Sequence, residues 1–253
     1  MWKTSFLGWA LASMLILTGS ASADSFTFTN AGNVTWNGVY VNPYQADDNT
    51  QTQHNPLTIY CDDWNTDFSG YPTWNATVYS LNASNVTNFK YGNPTTPPSD
   101  YIIALNSGDL SATLETSSPT WSPLQRYFEA AWLDEQWLDA VTQGTATDQM
   151  QIKLAAAVWT LFVDPTHVGG LIGAINNSSG YATDVYKYLQ DAQTAVTTDK
   201  YTAAGWDVIV PDASNVFAMQ EFLVHAPEPS AVILLGTVIG YLGVTKFRRK
   251  RQA

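Results

Sequence analysis

Hydrophobic and polar positions follow two different rhythms along this chain. Residues 25–30 (SFTFTN) alternate, the period of a strand with one wet face. Residues 34–44 (VTWNGVYVNPY) set β-branched and aromatic side chains around Asn37-Gly38, a hairpin dipeptide. Residues 56–61 (PLTIYC) and 72–81 (PTWNATVYSL) predict further strands on either side of a polar run, and 85–92 (NVTNFKYG) is a further strand candidate. Three prolines within residues 93–100 mark a loop. Beyond it the period becomes helical, with Leu124, Tyr127, Phe128, Ala131, Trp132, Leu138 and Val141 on one stripe. Ser122-Pro123 supplies a cap and a first-turn proline. A second helix starts at Thr147-Asp148, carries Ile152, Ala155, Ala156, Trp159, Phe162 and Val163 on one face, and stops before Asp164-Pro165. A third is expected over residues 183–196. Residues 206–212 (WDVIVPD) and 215–226 (NVFAMQEFLVHA) read as closing strands. The expected fold is α+β: a β-rich N-terminal half, a helical insertion, closing C-terminal strands and a C-terminal transmembrane helix.

Two segments are apolar without any period, one at each end. Lys3 precedes a twelve-residue, largely apolar run at residues 6–17 (FLGWALASMLIL), and Ala21-Ser22-Ala23 supplies small side chains after it. That order predicts a secretory signal peptide over residues 1–23, with Ala21 and Ala23 filling the signal peptidase site. At the other end Pro227-Glu228-Pro229 precedes residues 231–245 (AVILLGTVIGYLGVT), which carry no charge. Five cations follow directly, at Lys246, Arg248, Arg249, Lys250 and Arg251. A basic cluster straight after an apolar run belongs on the cytoplasmic side of a membrane, not in a soluble core. The run is short against the ~20 residues of a full span. The expected organisation is therefore a signal peptide (1–23), an exported α+β domain (24–226) and a sorting or anchor segment (227–253).

The tail as a whole, APEPSAVILLGTVIGYLGVTKFRRKRQA, resembles the PEP-CTERM sorting signal of Gram-negative bacteria. The resemblance covers about a tenth of the chain. It implies recognition of Pro227, Glu228 and Pro229 by an exosortase, a membrane-embedded cysteine protease, in a host that makes exopolysaccharide. The implied location is the membrane before processing, and the cell surface or extracellular matrix, as in a biofilm, after it.

Charge narrows the partners. Residues 24–229 hold 5 of the 11 lysines and arginines and all 22 acidic side chains, a net −17. Such a surface repels nucleic acid and anionic lipid, so DNA and RNA are not expected partners. Divalent cations and polysaccharides suit it better. Cys61 is the sole cysteine, which rules out an internal disulfide and leaves a buried thiol, an intermolecular bridge or a special chemical role. His54, His167 and His225 are scattered without metal-ligand spacing.

Three constellations are candidates for chemistry. Tyr60-Cys61, Ala157-Val158-Trp159 and Gln220 resemble the flanking pattern of secreted thioester domains. There a cysteine and a helix glutamine form an internal thioester that amines attack. The resemblance puts the bond-forming glutamine four residues before Trp159, where this chain has Ala155; Gln151 lies one turn earlier, about 6 Å along the axis. Second, Asp63, Asn65 and Asp67 set alternate oxygens like the start of a calcium loop. Phe68 replaces the turn glycine and Trp74 the bidentate glutamate, so an EF-hand is excluded and a looser calcium site remains. The alternative is a polar turn whose Asx side chains bond their own backbone. No other cofactor is expected. Third, residues 24–226 contain eight tryptophans. Trp132, Trp137 and Trp159 fall in helix patterns, whereas Trp36, Trp64 and Trp74 sit in or beside strands, where an exposed face could stack on sugar. The leading expectation is a non-enzymatic surface or matrix protein that binds or packs among exopolysaccharide. A covalent adhesin using a Cys61 thioester and a secreted carbohydrate-active enzyme are the alternatives.

Overall fold

A computed structural model describes residues 23–41, 43–50, 56–62, 64, 73–92, 122–163, 167–212 and 220–226. The segment expected to be a signal peptide, from residue 1 to Ser22, lies outside the described residues, as do Asp63, Asn65, Asp67, the Pro-Glu-Pro motif, the apolar tail and its basic cluster. No helix among the described residues is long and apolar enough to cross a membrane.

Six antiparallel strands close into a barrel. They are β1 (Ala23–Asn30), β4 (Tyr44–Asp48), β5 (Pro56–Cys61), β8 (Phe222–His225), β7 (Trp206–Pro211) and β6 (Thr73–Ser80), in that order around the barrel and back to β1. The short hairpin of β2 (Thr35–Trp36) and β3 (Val39–Tyr40) stands apart. It turns on Asn37 at φ 50° and Gly38 at φ 84°, the two left-handed residues that a tight hairpin requires. Four helices enter between β6 and β7: α1 (Pro123–Thr142), α2 (Asp148–Phe162), α3 (Val168–Asn177) and α4 (Tyr181–Thr197). The mixed helix-and-sheet class follows the sequence expectation.

The barrel is too narrow for a channel and is filled by side chains. Phe26, Phe28, Tyr44, Ala46, Ile59, Cys61, Trp74, Ala76, Ile209, Phe222 and Val224 form this inner core. A second core lies between the barrel and the helices, where Tyr60, Trp206, Val208 and Leu223 meet Tyr127, Trp159, Phe162 and Leu189. The helices thus cover the outer faces of β5, β8 and β7. These strands are buried on both sides and read as continuous apolar runs, whereas β1 and β6 keep a wet outer face and alternate.

Helix α2 is buried nearly all round. Beyond the first turn Lys153 is the residue left partly exposed, and its ammonium pairs with Asp184 of α4 at 2.6 Å and lies over the Tyr181 ring. Helix α1 is capped as the sequence suggests: the Ser122 hydroxyl accepts from Gln125 N–H and the Gln125 side chain accepts from Ser122 N–H.

Two sequence expectations are corrected here. Residues 85–92 are not a strand. They form a 3-10 turn at Val86–Asn88 followed by a tight return, with Phe89 N–H donating to Val86 O and Gly92 N–H to Phe89 O. A Cβ at Gly92 would lie 1.7 Å from Val86 O, so this approach requires glycine. Burial of Phe89 against Tyr127 overrides the strand propensity of the segment. The buried face of α1 is also wider than the apolar stripe. Val141 is 51% exposed, whereas Arg126, Glu129 and Asp134 are buried.

Strand directions fix the two ends of the barrel. The starts of β1, β5 and β7 and the finishes of β4, β6 and β8 share one end, here the terminal end, because it holds Ala23 and His225. The opposite end holds Asn30, Cys61, Pro211, Tyr44, Thr73 and Phe222.

Candidate functional site

The chemistry of the described residues is concentrated at the opposite end, where β5 finishes and β8 starts. Cys61 is registered with Phe222, so the next residues along, Asp62 and Glu221, oppose each other. Side chains alternate across a strand. Cys61 and Phe222 point into the barrel, so Asp62 and Glu221 fall on the helix-covered face with Tyr60 and Leu223.

Both carboxyl groups are fully buried. The Tyr127 hydroxyl of α1 donates a short hydrogen bond to Glu221 Oε1. Lys90 N–H donates to Glu221 Oε2 at 2.8 Å, and Tyr91 N–H donates to the Tyr127 oxygen at 3.1 Å. Burial raises the Glu221 carboxyl above its usual range, while contact with the Asp62 side chain and the bonds from Lys90 and Tyr127 pull it back. Burial also raises the Tyr127 hydroxyl, helped by the charges of Glu221 and Asp62. Two carboxyl groups in such contact do not both ionise without a large penalty. The arrangement is a proton-holding latch that joins two strands, α1 and the turn at 86–92.

Two residues beyond Tyr127 on α1 lies Glu129, fully buried. Neither of its carboxyl oxygens, nor Arg126 Nε three residues before it, meets a hydrogen-bond partner. Burial pushes the Glu129 carboxyl up to about 8, against the opposing pull of Arg126. Burial likewise lowers the Arg126 guanidinium. Asp134 is raised well above the ordinary carboxylate range by burial alone, and its Oδ2 and the Tyr60 hydroxyl are both buried without a hydrogen bond.

The residues of the thioester-like pattern are only partly brought together. The Trp159 indole donates to Cys61 O at 3.2 Å, so helix α2 and the end of β5 do meet. The Cys61 side chain packs inside the barrel, away from the helices. Gln151 lies eight residues before Trp159, about 12 Å along the helix, and its amide donates to Val41 O at 3.2 Å. Cys61 and Gln151 are therefore not in contact. Ala155 is buried in the helix–barrel core.

The tryptophans separate cleanly. Trp74 lies inside the barrel and Trp36 in the helix-side core, at 2% and 8% exposure. Trp36 stacks on Trp159 and on Tyr181 and bonds Ser178 Oγ through its indole N–H. Trp64 packs on both Trp36 and Trp159 and is half-buried, as is Tyr181. Of this cluster, Trp64 and Tyr181 are the rings with surface left for a partner.

No group of three metal-ligating side chains occurs among the described residues. Sequence reasoning identified Cys61, Trp159 and Trp64 but passed over Glu221, Tyr127, Glu129 and Asp134. The available signal was charge on the inward face of α1 and a glutamate within the apolar closing strand.

No protein-family model matches the chain, and no curated protein matches it. Among solved structures it is similar to the N-terminal domain of the Streptococcus pyogenes pilus tip adhesin Cpa, at 8% identity. The superposition covers 83% of this chain and 97% of that one with a TM-score of 0.37, a loose correspondence on which nothing below rests.

Proposed function

We propose that the chain is an exported bacterial surface protein, held at the membrane by its C-terminal segment until an exosortase-type protease processes it. Its folded domain then acts by binding or packing among exopolysaccharide. The order of segments carries this reading. The last strand ends at His225, Pro227-Glu228-Pro229 follows within two residues, and fifteen uncharged residues lead into the basic cluster. Two prolines in three residues hold the motif extended, the shape a protease cleft binds. Partly exposed Trp64 and Tyr181 supply ring surface for sugar C–H contact. The carboxyl pair Asp62 and Glu221, the kind of pair a glycosidase uses, is enclosed rather than open to substrate, which favours a non-enzymatic role.

Replacing Pro227 and Pro229 with alanine is expected to trap a full-length membrane form that retains residues 230–253, detected by mass spectrometry. If wild-type protein from the surface of a host with an active exosortase keeps its C-terminal peptide, the sorting assignment is wrong. For the binding role, the released domain is expected to co-sediment with the host's own exopolysaccharide, and Trp64→Ala to weaken that association. Release of sugar in the same assay would move the assignment to a carbohydrate-active enzyme.

A further inference from the structure

Both ends of the folded chain leave the barrel on the same side. Ala23 starts β1 and His225 finishes β8 at the terminal end. The chain stays tied to the barrel to the very edge of the tail: His225 pairs with Trp206, and Ala226 N–H donates to Gly205 O at 2.8 Å. His225 and Ala226 are thus part of the fold. Only residues 227–230 are left between the last barrel hydrogen bond and the apolar run. Four residues reach at most about 14 Å. The headgroup layer on one side of a bilayer takes up roughly 6 Å of that.

We propose that, while tethered, the domain stands on the membrane with the terminal end of the barrel facing the lipid headgroups within about 10 Å. This inference rests on the reading of residues 227–253 as a membrane tether. It assigns the two ends different partners. The terminal end, built from the finishes of β4, β6 and β8 and the turn at Gly205, meets the membrane surface and the processing protease. The opposite end, with the β2–β3 hairpin, Trp64 and Tyr181, is turned outward and is the face a matrix polymer reaches before the tail is cut.

Single cysteines read this orientation, since the native thiol of Cys61 is buried. Ala204→Cys and Ala83→Cys lie exposed at the terminal end, and Thr29→Cys lies exposed at the other. Each is placed in the full chain carrying Pro227→Ala and Pro229→Ala, and right-side-out membrane vesicles are treated with a bulky polyethylene-glycol maleimide. Thr29→Cys is expected to label as fast in vesicles as in detergent. Ala204→Cys and Ala83→Cys are expected to lose labelling in vesicles and regain it in detergent. A small maleimide, labelling each introduced thiol in vesicles, confirms that the thiol is chemically competent, and continued protection of buried Cys61 confirms that the variant is folded. Equal bulky-reagent labelling of all three in membrane-bound protein overturns the orientation alone. A precursor absent from the membrane fraction overturns the tether reading and the orientation with it.

Discussion

Trp159→Ala is expected to cost the domain about 3–5 kcal/mol, a large part of the ~5–15 kcal/mol that holds a typical domain folded. Trp159 is 2% exposed and joins three elements. Its ring stacks on Trp36 of the hairpin, packs against Trp64 beyond β5, and its N–H satisfies Cys61 O. Truncation leaves a cavity among the remaining rings and removes the hydrogen bond that Cys61 O accepts at the end of a barrel strand. Trp159→Phe separates the two losses. It keeps most of the ring contact and removes the hydrogen bond, and is expected to cost about 1–2 kcal/mol. Urea unfolding of the mature chain measures both, with the midpoint shifted and the slope unchanged. A Trp159→Ala midpoint equal to wild type would show that this aromatic junction does not hold the helices to the barrel.

Stability is expected to fall as pH rises from about 5 to 8, the reverse of ordinary acid denaturation. The sign follows from Glu129. Its folded value lies above the unfolded one, at about 8 against 4.5, so the native state holds a proton that the unfolded state releases. The contribution is complete below about 4.5 and disappears as pH rises through 8. Glu221 and Asp134 are raised in the same direction by burial. For Glu129 alone the effect is on the order of a few kcal/mol. Glu129→Gln, fixed in the neutral form, is expected to match wild type near pH 5, to melt higher at pH 8, and to flatten the profile. Repulsion among the surplus acids of residues 24–229 also weakens the fold at high pH, but that term survives the substitution. Parallel pH–melting curves for wild type and Glu129→Gln would place the titration elsewhere.

The sequence pattern located most elements because most of them obey a single constraint. β1 and β6 alternate since one face is wet, and β5 and β7 read as apolar runs since neither face is. β4, with the sequence YQADD, has little strand propensity. It is held by its neighbours β1 and β5, and its buried Asp48 is satisfied by the N–H and hydroxyl of Thr50. Helix α3 (VGGLIGAINN) was invisible because its glycines argue against helix. The acid latch was legible only in fragments. Asp62 stands in a polar run and Glu221 in an apolar one, and their apposition depends on a pairing that exists once the barrel closes. The inward face of α1 misled for a related reason: pattern analysis counts apolar side chains, and Arg126, Glu129 and Asp134 are buried although they are not apolar.

The place of β8 in the barrel has a consequence for biogenesis. It is the last of the described strands, yet it inserts between β5 and β7 rather than adding to an edge. Until it arrives, β5 and β7 each present an open row of backbone donors and acceptors, and the inner core lacks Phe222 and Val224. Its pairing with β5 joins residues about 160 positions apart, a contact whose loop closure is slow. If the chain is exported N-terminus first, as proposed above, it cannot complete its fold until residues 222–225 have crossed the membrane, by which time the Pro-Glu-Pro segment is entering it. On that reading, closure of the barrel and arrival of the tail coincide, so folding and tethering are completed together.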